Sequence, residues 1–380
     1  MIKPIYLDYN GTTPHDPEVL DAMRPFLELE FGNPSSSHWY GIKPKQAVEA
    51  ARRQVAGLLG CLPEEIIFTS GGTESNNHAI KGIARALRKK GRHIVTSAFE
   101  HPAVLEVCRY LEGEGFETTL VEVDTKGIID PEKVQRALRS DTILVTIMHA
   151  NNEVGTVQPI AAIAELADER GIVLHTDAAQ SLGKIPVNVK VLGVDMLSVA
   201  GHKLYAPKGI GVLYVRKGLA PEKFCHGAGQ ENGWRAGTEN VVGIVGLGKA
   251  CEIAARDLDV NMDCMKKMRD QLYEGLVAGT NDVRLNGHPD LRLPNTLNLS
   301  FKGLEANRLL EEIGLEVAAS PGAACHSGDV AISHVLQAMH VPVEWAKGTL
   351  RFSTGRMTTA GEIDQAIDVV VAAVDRLRGT

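Results

Sequence analysis

A lysine that follows a short apolar strand is the first candidate for chemistry in this sequence. Lys203 lies in MLSVAGHKLYAPKGIG (196–211), where a strand of small and apolar residues runs into a glycine-rich turn. An amine held among apolar and backbone groups has a lowered pKa and is more nucleophilic than a solvated amine. The alternative for any lone lysine is a solvated position on the surface.

An anion site and a carboxylate follow two other predicted strands. In IIFTSGGTESNN (66–77), an apolar strand leads through Ser-Gly-Gly-Thr into a helix that starts at about Glu74. Glycines and the free N–H groups of a helix N-terminus suit a phosphate, although a plain turn is the alternative. In IVLHTDAAQ (172–180), Asp177 stands just past a strand. There it can keep a pyridine nitrogen protonated, or it can cap a helix.

The order of these three pieces indicates one cofactor. Open α/β sheets bind ligands at the carboxyl ends of their strands, and each piece follows a strand. A phosphate cradle, a ring-nitrogen carboxylate and a lysine together predict a pyridoxal-phosphate site, with Lys203 holding the cofactor as a Schiff base.

Cys325 has the setting of a reactive thiol. It lies in SPGAACHSGD (320–329), a loop rich in glycine, alanine and serine, beside His326. Such a position favours an accessible thiolate. A zinc site of Cys325, His326 and His334 is disfavoured because no second ligand pair has metal-site spacing, so no metal is predicted. The other cysteines, predicted to be free thiols packed as small hydrophobes, are Cys61, Cys108, Cys225, Cys251 and Cys264.

Strand-like runs alternate with amphipathic stretches through the first two-thirds of the chain. Strands are predicted at residues 66–69, 93–96, 118–123, 142–148, 172–175 and 196–199, and helices at 46–59, 74–89, 131–138 and 160–169. This alternation is typical of an α/β fold with a mostly parallel sheet covered on both faces. Residues 209–216 follow a glycine-rich turn and are predicted as an added strand, for which an antiparallel direction is considered.

Two domains are predicted. The large cofactor-binding domain covers residues 15–255, and the small α+β domain covers residues 1–14 and 256–380, including the Cys325 loop. In the small domain, strands are expected around 295–301 and 349–353, and a helix at 360–377.

Composition excludes several other classes of protein. The 380 residues are 44% hydrophobic and 23% charged, as in ordinary α/β enzymes. A net charge of −7 gives no reason to expect nucleic-acid or membrane-surface binding. No apolar run reaches the roughly 18 residues of a membrane span, and no signal-peptide h-region is visible, so a cytoplasmic protein is predicted.

Six motifs carry a resemblance to a known family. GGTESNN, EHPAV (100–104), ANNEVG (150–155), HTDAAQ, GHK and RAGTEN (235–240) appear in the order found in the cysteine desulfurase and selenocysteine lyase family. The sequence resembles that family from YLDYNGTTP to LRFSTGR. Its members are fold-type I pyridoxal-phosphate enzymes grouped with the class V aminotransferases. The resemblance implies their large domain with a seven-stranded sheet and their smaller C-terminal domain.

The resemblance also implies a role for each matching residue. Lys203 binds the cofactor and later moves the substrate α-proton, Asp177 pairs with the pyridine nitrogen, and Cys325 meets the sulfur or selenium of the substrate. The other implied positions are His101, stacked on the ring and active in proton transfer; Asn152, beside ring and substrate; Gln180, on the ring hydroxyl; Gly72, Thr73 and His202, on the phosphate; Thr238, reaching the phosphate of the other subunit of a homodimer; and Arg351, clamping the substrate carboxylate.

The choice of substrate depends on small departures from the family pattern. Ala200 stands where typical desulfurases carry serine, and the loop reads GAACHS in place of Cys-Thr-Ser. These strings and DYNGTTP resemble selenocysteine lyases. Pro102, in EHPAV, instead resembles the motif of nitrogen-fixation desulfurases. Animal selenocysteine lyases carry an acidic residue at this position. The favoured prediction is a lyase that releases selenium (or sulfur) from L-selenocysteine (or L-cysteine) to give L-alanine.

The alternative is a cysteine desulfurase that passes a Cys325 persulfide to an acceptor protein for Fe–S cluster or thio-cofactor synthesis. An aminotransferase on the same fold has no need of Cys325. A protein that only binds a partner has no need of Lys203, Asp177 and Arg351.

Overall fold

The structure is a computed structural model that describes residues 3–326 and 329–379, and for residues 323–326 and 329–331 it describes the backbone alone. The strands are β1 (Ile5–Tyr6), β2 (Ile66–Thr69), β3 (His93–Ser97), β4 (Glu117–Val121), β5 (Thr142–Thr146), β6 (Val173–Asp177), β7 (Met196–Ala200), β8 (Gly211–Val215), β9 (Val283–Asn286), β10 (Thr296–Phe301), β11 (Val317–Ala318), β12 (Ser320–Pro321), β13 (Ala323–His326), β14 (Asp329–Ile332) and β15 (Thr349–Ser353).

The helices cover both faces of a central sheet and one side of a second, smaller sheet. They are α1 (Pro17–Glu28), α2 (Trp39–Leu59), α3 (Gly72–Leu87), α4 (Pro102–Glu112), α5 (Pro131–Ala137), α6 (Ile160–Asp168), α7 (Val189–Leu192), α8 (Val241–Gly279), α9 (Ala306–Ile313), α10 (His334–Ala338), α11 (Val343–Ala346) and α12 (Ala360–Arg378). None of the described helices is long and apolar enough to cross a membrane.

The central sheet has seven strands in the order β2-β8-β7-β6-β5-β3-β4. Only β8 runs antiparallel to its neighbours; the other pairings are parallel. The predicted fold class, an α/β protein with a mostly parallel seven-stranded sheet and a smaller C-terminal domain, is confirmed. The strand predicted at 209–216 is β8, and it takes the antiparallel direction.

Alternating side chains explain why both faces of this sheet are covered. In β3, Val95 packs into the apolar cluster that contains α2 and α8, whereas Ile94 packs into the cluster that contains α3 and α4. The same alternation separates Val145 from Leu144 in β5. A strand with both faces buried carries adjacent apolar residues that point to opposite faces, as Ile94-Val95 in β3 and Leu144-Val145 in β5 do.

The smaller sheet has the order β12-β15-β10-β9, with antiparallel pairings. Its core is built with α9, α12 and the second half of α8. The N-terminus contributes here as well, because β1 pairs in parallel with β11 through Ile5 and Val317. The predicted strands at 295–301 and 349–353 and the predicted terminal helix correspond to β10, β15 and α12.

Helix α8 connects the two parts of the fold. It runs for 39 residues, but Asp257 interrupts it with φ −116° and ψ 15°, outside the helical range. This interruption lies close to the domain boundary predicted after residue 255. The domain limits stay a prediction.

Strand direction explains where the functional residues collect. Parallel strands end at one edge of the sheet, and β6 ends there at Asp177, while β7 ends at Ala200 and leads into a single 3₁₀ turn, Gly201–Lys203. Strand β2 is parallel to β7, because both are antiparallel to β8, and it leads into α3 at Gly72.

Candidate active site

A cavity of about 290 Å³ opens at this edge of the sheet. Its walls come from the N-terminal segment, from the ends of five strands of the central sheet (β2, β3, β5, β6 and β7) and from β15 of the smaller sheet. The lining residues are Asn10, Gly11, Gly72, Thr73, Asn76, His101, Ala103, Met148, Ala150, Asn152, Asp177, Ala179, Gln180, Ala200, His202, Lys203 and Arg351. The structure therefore brings together nine predicted site residues, and Ala200 lies among them; the nine are Gly72, Thr73, His101, Asn152, Asp177, Gln180, His202, Lys203 and Arg351.

Lys203 presents its amine inside this cavity. The Nζ atom donates hydrogen bonds to the backbone oxygens of Asn10 and Gly11, the latter at 2.6 Å. Burial, with the nearby positive charge of Arg351, lowers the pKa of Lys203 to about 8. A much larger fraction of neutral, nucleophilic amine is present at neutral pH than for a solvated lysine. The alternative of a solvated surface lysine does not hold.

Asp177 is the last residue of β6 and is buried at the cavity wall. Its Oδ2 accepts a 2.7 Å hydrogen bond from Nδ2 of Asn76, and its Oδ1 accepts one of 2.9 Å from the Ala179 amide. No helix begins directly after it, since α7 starts at Val189. The helix-cap alternative is therefore wrong, and a buried carboxylate faces the cavity.

The phosphate turn has the predicted form. Helix α3 begins at Gly72, directly after Gly71, whose φ of 149° disfavours any residue with a side chain. At Gly72 a Cβ atom would lie only 3.3 Å from the Cβ of Ala200, so a glycine keeps the first turn open. The first N–H groups of a helix have no intrahelical acceptor and face an anion readily.

His202 borders the same end of the cavity. Its Nδ1 lies 3.1 Å from Oγ1 of Thr12. Burial, with the positive charge of Lys203, lowers the pKa of His202 to about 4, so the ring is neutral at pH 7. A neutral imidazole can donate one N–H to a phosphate oxygen.

His101 is the N-cap of α4, and its ring is exposed to the cavity. Its Nδ1 accepts a 3.1 Å hydrogen bond from the Ala103 amide. In the neutral ring, Nε2 therefore carries the proton. Crowding by protein atoms lowers the pKa of His101, and the charge of Asp177 opposes this shift.

Arg351 reaches the cavity from β15. Its Nη2 donates to Oδ1 of Asp8 at 2.7 Å and to Oγ of Ser320 at 3.0 Å. Its Nη1 donates to the backbone oxygen of Asn152 at 3.1 Å. The buried Nε has no hydrogen-bond partner among the described residues. A guanidinium fixed in this way suits recognition of a carboxylate.

Similarity to known proteins identifies the family. The family model described as "Aminotransferase class-V" matches residues 5–366. The chain belongs to the class-V aminotransferases. The protein named "Cysteine desulfurase IscS" of Dictyoglomus turgidum is 49% identical over 379 residues, covering 100% of this chain and 96% of that protein. Its counterpart in Methanosarcina thermophila is 48% identical, covering 99% of this chain and 93% of that protein.

Two solved structures agree with the fold. A structure titled "NIFS-LIKE PROTEIN" superposes with a TM-score of 0.93 and 38% identity, covering 98% of this chain and 100% of the other. DndA from Streptomyces lividans superposes with a TM-score of 0.78 and 40% identity over 90% of this chain and 97% of its own. The predicted membership in the cysteine desulfurase family is confirmed. The preference for selenocysteine lyase finds no support in these relatives, which favour the alternative.

Pyridoxal phosphate is the cofactor of these class-V enzymes, as predicted, and the cavity fits it. Lys203 supplies an amine of lowered pKa, Asp177 a buried carboxylate for the ring nitrogen, and the start of α3 a cradle for the phosphate. An unpaired polar atom supports the same fit. Oδ1 of Asn76, which lines the cavity, is buried and has no hydrogen-bond partner among the described residues.

Of the two remaining predicted site residues, one lies away from the cavity in this class-V chain and the side chain of the other is not described. Thr238 is exposed and does not line it. Cys325 lies on the hairpin of β13 and β14, where its backbone pairs opposite Val330, and its side chain is outside the described residues. Among the described side chains, no group of three His, Cys, Asp or Glu residues could hold a metal ion; Cys325 and His326 are not among them.

The remaining cysteines are free thiols, as predicted. Burial raises the pKa of Cys61, Cys108 and Cys251 to about 12 in each case. Thiols of this kind are unreactive at neutral pH.

Sequence reasoning missed several residues that line or support the site. Asn76 could have been found, because it follows Gly72 by four residues and so shares its helix face. Asn10 donates to Oγ1 of Thr296 at 2.8 Å and to the Asn152 oxygen at 3.1 Å, and no local pattern predicts contacts at such separations.

Proposed function

We propose that the protein is a pyridoxal-phosphate-dependent cysteine desulfurase, which removes sulfur from L-cysteine, leaves L-alanine and carries the sulfur as a persulfide on Cys325. The position of the segment that bears Cys325 supports sulfur transfer to this cysteine. Both ends of the segment that bears Cys325 are attached at the cavity. At one end Ser320 pairs with Arg351 across β12 and β15, and at the other Ser333 bonds Glu153 in the ANNEVG loop.

Arg351 and Asn152 bind the substrate in this proposal. The guanidinium takes the carboxylate of the amino acid, and its existing bonds to Asp8 and the Asn152 oxygen fix its plane. Asp8 lies next to the same guanidinium, so it also disfavours a second carboxylate on the substrate.

Lys203 and His101 move protons. The amine of Lys203 holds the cofactor and, once the substrate displaces it, is the base for the α-proton. His101 can donate through Nε2, because Nδ1 is already an acceptor for the Ala103 amide. When bound, pyridoxal phosphate supplies the electron sink for the electrons released at the α-carbon.

Cys325 takes the sulfur. Its thiolate forms a bond to the sulfur of the substrate, and the carbon–sulfur bond of the substrate breaks. The electron pair of that bond stays with the β-carbon, which takes up a proton as alanine forms. The thiol proton of Cys325 must leave before the attack, so the step is faster where thiolate is present.

A homodimer is part of the proposal. Thr238 is exposed in the single chain, as expected for a residue that serves the cofactor of another subunit. An exposed aromatic surface between α1 and the start of α2 is available for a second copy. It is formed by Phe31, Trp39 and Tyr40, of which Phe31 is 76% and Trp39 65% exposed. Apolar patches of this kind mark interaction sites.

L-selenocysteine is the competing substrate, favoured by Ala200 and by the GAACHS string. Selenolate leaves more easily than thiolate and needs less help from Cys325. Alanine release from L-cysteine and L-selenocysteine should be measured side by side at saturating substrate, in the wild type and in Cys325→Ala.

The desulfurase proposal expects Cys325→Ala to lose activity on L-cysteine and to keep part of its activity on L-selenocysteine. Mass spectrometry of the wild type after one turnover should show one added sulfur atom on Cys325. Equal residual rates of Cys325→Ala on both substrates, or sulfur found on no cysteine, would contradict the proposal. Cys108→Ala is the matched control, since that thiol is buried and unreactive.

A further inference from the structure

A buried lysine that none of these roles uses lies directly behind the cavity wall. Lys184 is 4% exposed and follows Gln180 by four residues, in the segment after β6. Its Nζ donates a 2.8 Å hydrogen bond to Oε1 of Gln180 and a 3.1 Å bond to Oδ1 of Asn10. Among the described residues it has no carboxylate partner. A buried lysine without a counter-ion is costly, so its place calls for a reason.

The two acceptors around Lys184 suit a neutral amine. Burial, with the positive charges of Lys203 and Arg351, lowers the pKa of Lys184 well below its usual value. An ammonium group has three N–H donors, whereas a neutral amine has two. Gln180 and Asn10 supply two acceptors, so the neutral form satisfies both with no proton left over.

The bond from Lys184 decides which way the Gln180 amide faces. Because Oε1 of Gln180 accepts from Lys184, its Nε2 must lie on the other side, where it donates to the Asn10 backbone oxygen at 3.0 Å. Its second N–H is then free in the cavity that Gln180 lines. A rotated amide would place its oxygen against the Asn10 backbone oxygen, a repulsive contact, and would leave one N–H of Lys184 without the acceptor that Oε1 now provides.

The same oxygen of Asn10 links this amide to the cofactor-binding amine. It accepts from Nε2 of Gln180 and from Nζ of Lys203. Lys184, Gln180, Asn10 and Lys203 therefore form one continuous network. The side-chain oxygen of Asn10 already accepts two hydrogen bonds, one from Lys184 and one from Asn295. It therefore cannot take the second N–H of Lys184 that Oε1 of Gln180 now accepts.

We propose that Lys184 is a positioning residue that locks the Gln180 amide, so that a free N–H of Gln180, and never its oxygen, meets the ring oxygen of the bound cofactor. The inference rests on the proposed attachment of the cofactor to Lys203 and on the proposed place of Gln180, and it is independent of which amino acid is the substrate.

The consequence appears in the protonation of the Lys203 nitrogen once the cofactor is attached. A donated N–H stabilises negative charge on the ring oxygen, which then holds a neighbouring proton less tightly. Loss of that donor should therefore raise the pH at which the nitrogen deprotonates. The charged and titratable side chains that surround this nitrogen, all unchanged in the test below, are Asp8, His101, Asp177, His202 and Arg351.

The test is a pH titration of the visible absorbance of the holoenzyme, in which no substrate is present. Four proteins are compared: wild type, Lys184→Met, Gln180→Met and the double variant. We expect Lys184→Met to raise the midpoint of the absorbance change by about one pH unit, the effect of one lost hydrogen bond to a charged group. Lys190→Met, which removes an exposed lysine nearby, should leave the midpoint unchanged.

The double variant separates positioning from a direct effect of charge. If Lys184 acts through Gln180, adding Lys184→Met to Gln180→Met should produce no further shift. Additive shifts, or no shift in Lys184→Met alone, would overturn the inference. If Lys184→Met gives no folded holoenzyme, Lys184→Gln takes its place. Glutamine keeps N–H donors for Oε1 of Gln180, so we expect a smaller shift than in Gln180→Met. A shift as large as that of Gln180→Met would overturn the inference as well.

Failure of the proposed function would look different. A visible band that persists in Lys203→Ala would refute attachment of the cofactor to that lysine. A normal band in Lys184→Met that titrates as in the wild type would refute only the role of Lys184.

Discussion

Ser333 donates a 2.5 Å hydrogen bond to Oε2 of Glu153, which ties the end of the Cys325 hairpin to the wall of the cofactor cavity. Beside it, Nε2 of His334 lies 2.8 Å from the Glu100 backbone oxygen. Burial raises the pKa of Glu153, and the bond from Ser333 opposes this shift. Two of the motif loops, EHPAV and ANNEVG, thus hold the same end of the hairpin.

This attachment predicts a selective loss in Glu153→Ala. Without the carboxylate, Ser333 loses its acceptor and the Cys325 segment loses a fixed end, so persulfide formation from L-cysteine should slow by about tenfold, the equivalent of one hydrogen bond. The visible spectrum of the cofactor should not change. Glu165→Ala, at an exposed position on α6, is the control. A loss of the visible band together with the activity would instead indicate general misfolding.

Attachment of the cofactor should depend on pH through Lys203. The amine attacks only when neutral, and its pKa is lowered to about 8, chiefly by burial and then by Arg351. In protein prepared without cofactor, the attachment rate should rise with pH, reach half of its maximum near pH 8 and level off above that pH. Stopped-flow absorbance measures this rate. In Arg351→Met the plateau should move to higher pH, because a neighbouring positive charge has been removed; a rate still rising at pH 10 in the wild type would contradict the low pKa.

Asp177→Asn should separate binding of the cofactor from its chemistry. The amide keeps the shape of the side chain but cannot keep the ring nitrogen protonated. We expect kcat for L-cysteine to fall roughly 10- to 100-fold, corresponding to one charge-assisted hydrogen bond. The cofactor content of the purified protein should stay near one per chain. Asn76→Ala removes the donor to Oδ2 of Asp177 and should give a smaller loss in the same direction.

Acid should destabilise the protein through His175. This ring is fully buried between Oγ1 of Thr146 and Oγ of Ser198, at 2.8 and 2.9 Å, and burial lowers its pKa to about 3. The unfolded chain binds the proton near pH 6.5, so the free energy of unfolding falls by about 1.4 kcal/mol per pH unit between pH 6.5 and 3.

The variant His175→Gln tests that contribution, because glutamine does not titrate. Although less stable at pH 7, it should lose less stability than the wild type between pH 6 and 4, as measured by denaturant unfolding at each pH. His15→Gln, at an exposed position, should follow the wild type. An unchanged pH dependence in His175→Gln would show that this ring is not the cause.

Local patterns in the sequence predict most of the large domain and the chemical core of the site. Runs of apolar and β-branched residues located every strand of the central sheet, including the edge strand β4 (ETTLV), which is partly exposed. Helix α2 was predicted from residue 46, whereas it begins at Trp39. Gly41 and Pro44 lie in its first turns, and both residues disfavour a helix in isolation, so packing against α8 must overcome their local preference.

The support of the site could not be predicted in the same way. Lys203, Asp177 and Gly72 follow strands, which gives each a local signal. Asn10 and Lys184 do not; their importance comes from hydrogen bonds that join residues 10, 184 and 295. Such contacts exist only in the assembled fold and leave no period or spacing in the sequence.

The N-terminal segment has a consequence for how the enzyme matures. Ile5 pairs with Val317, Asp8 bonds Arg351, and the oxygens of Asn10 and Gly11 hold the amine of Lys203. Residues 5–11 therefore need partners about 200 to 340 positions later in the chain before the pocket is complete. A nascent chain still lacking β15 has the lysine but not its surroundings. Cofactor capture is thus expected only after β15 has been synthesised, and a chain that ends before β15 should be unable to perform it.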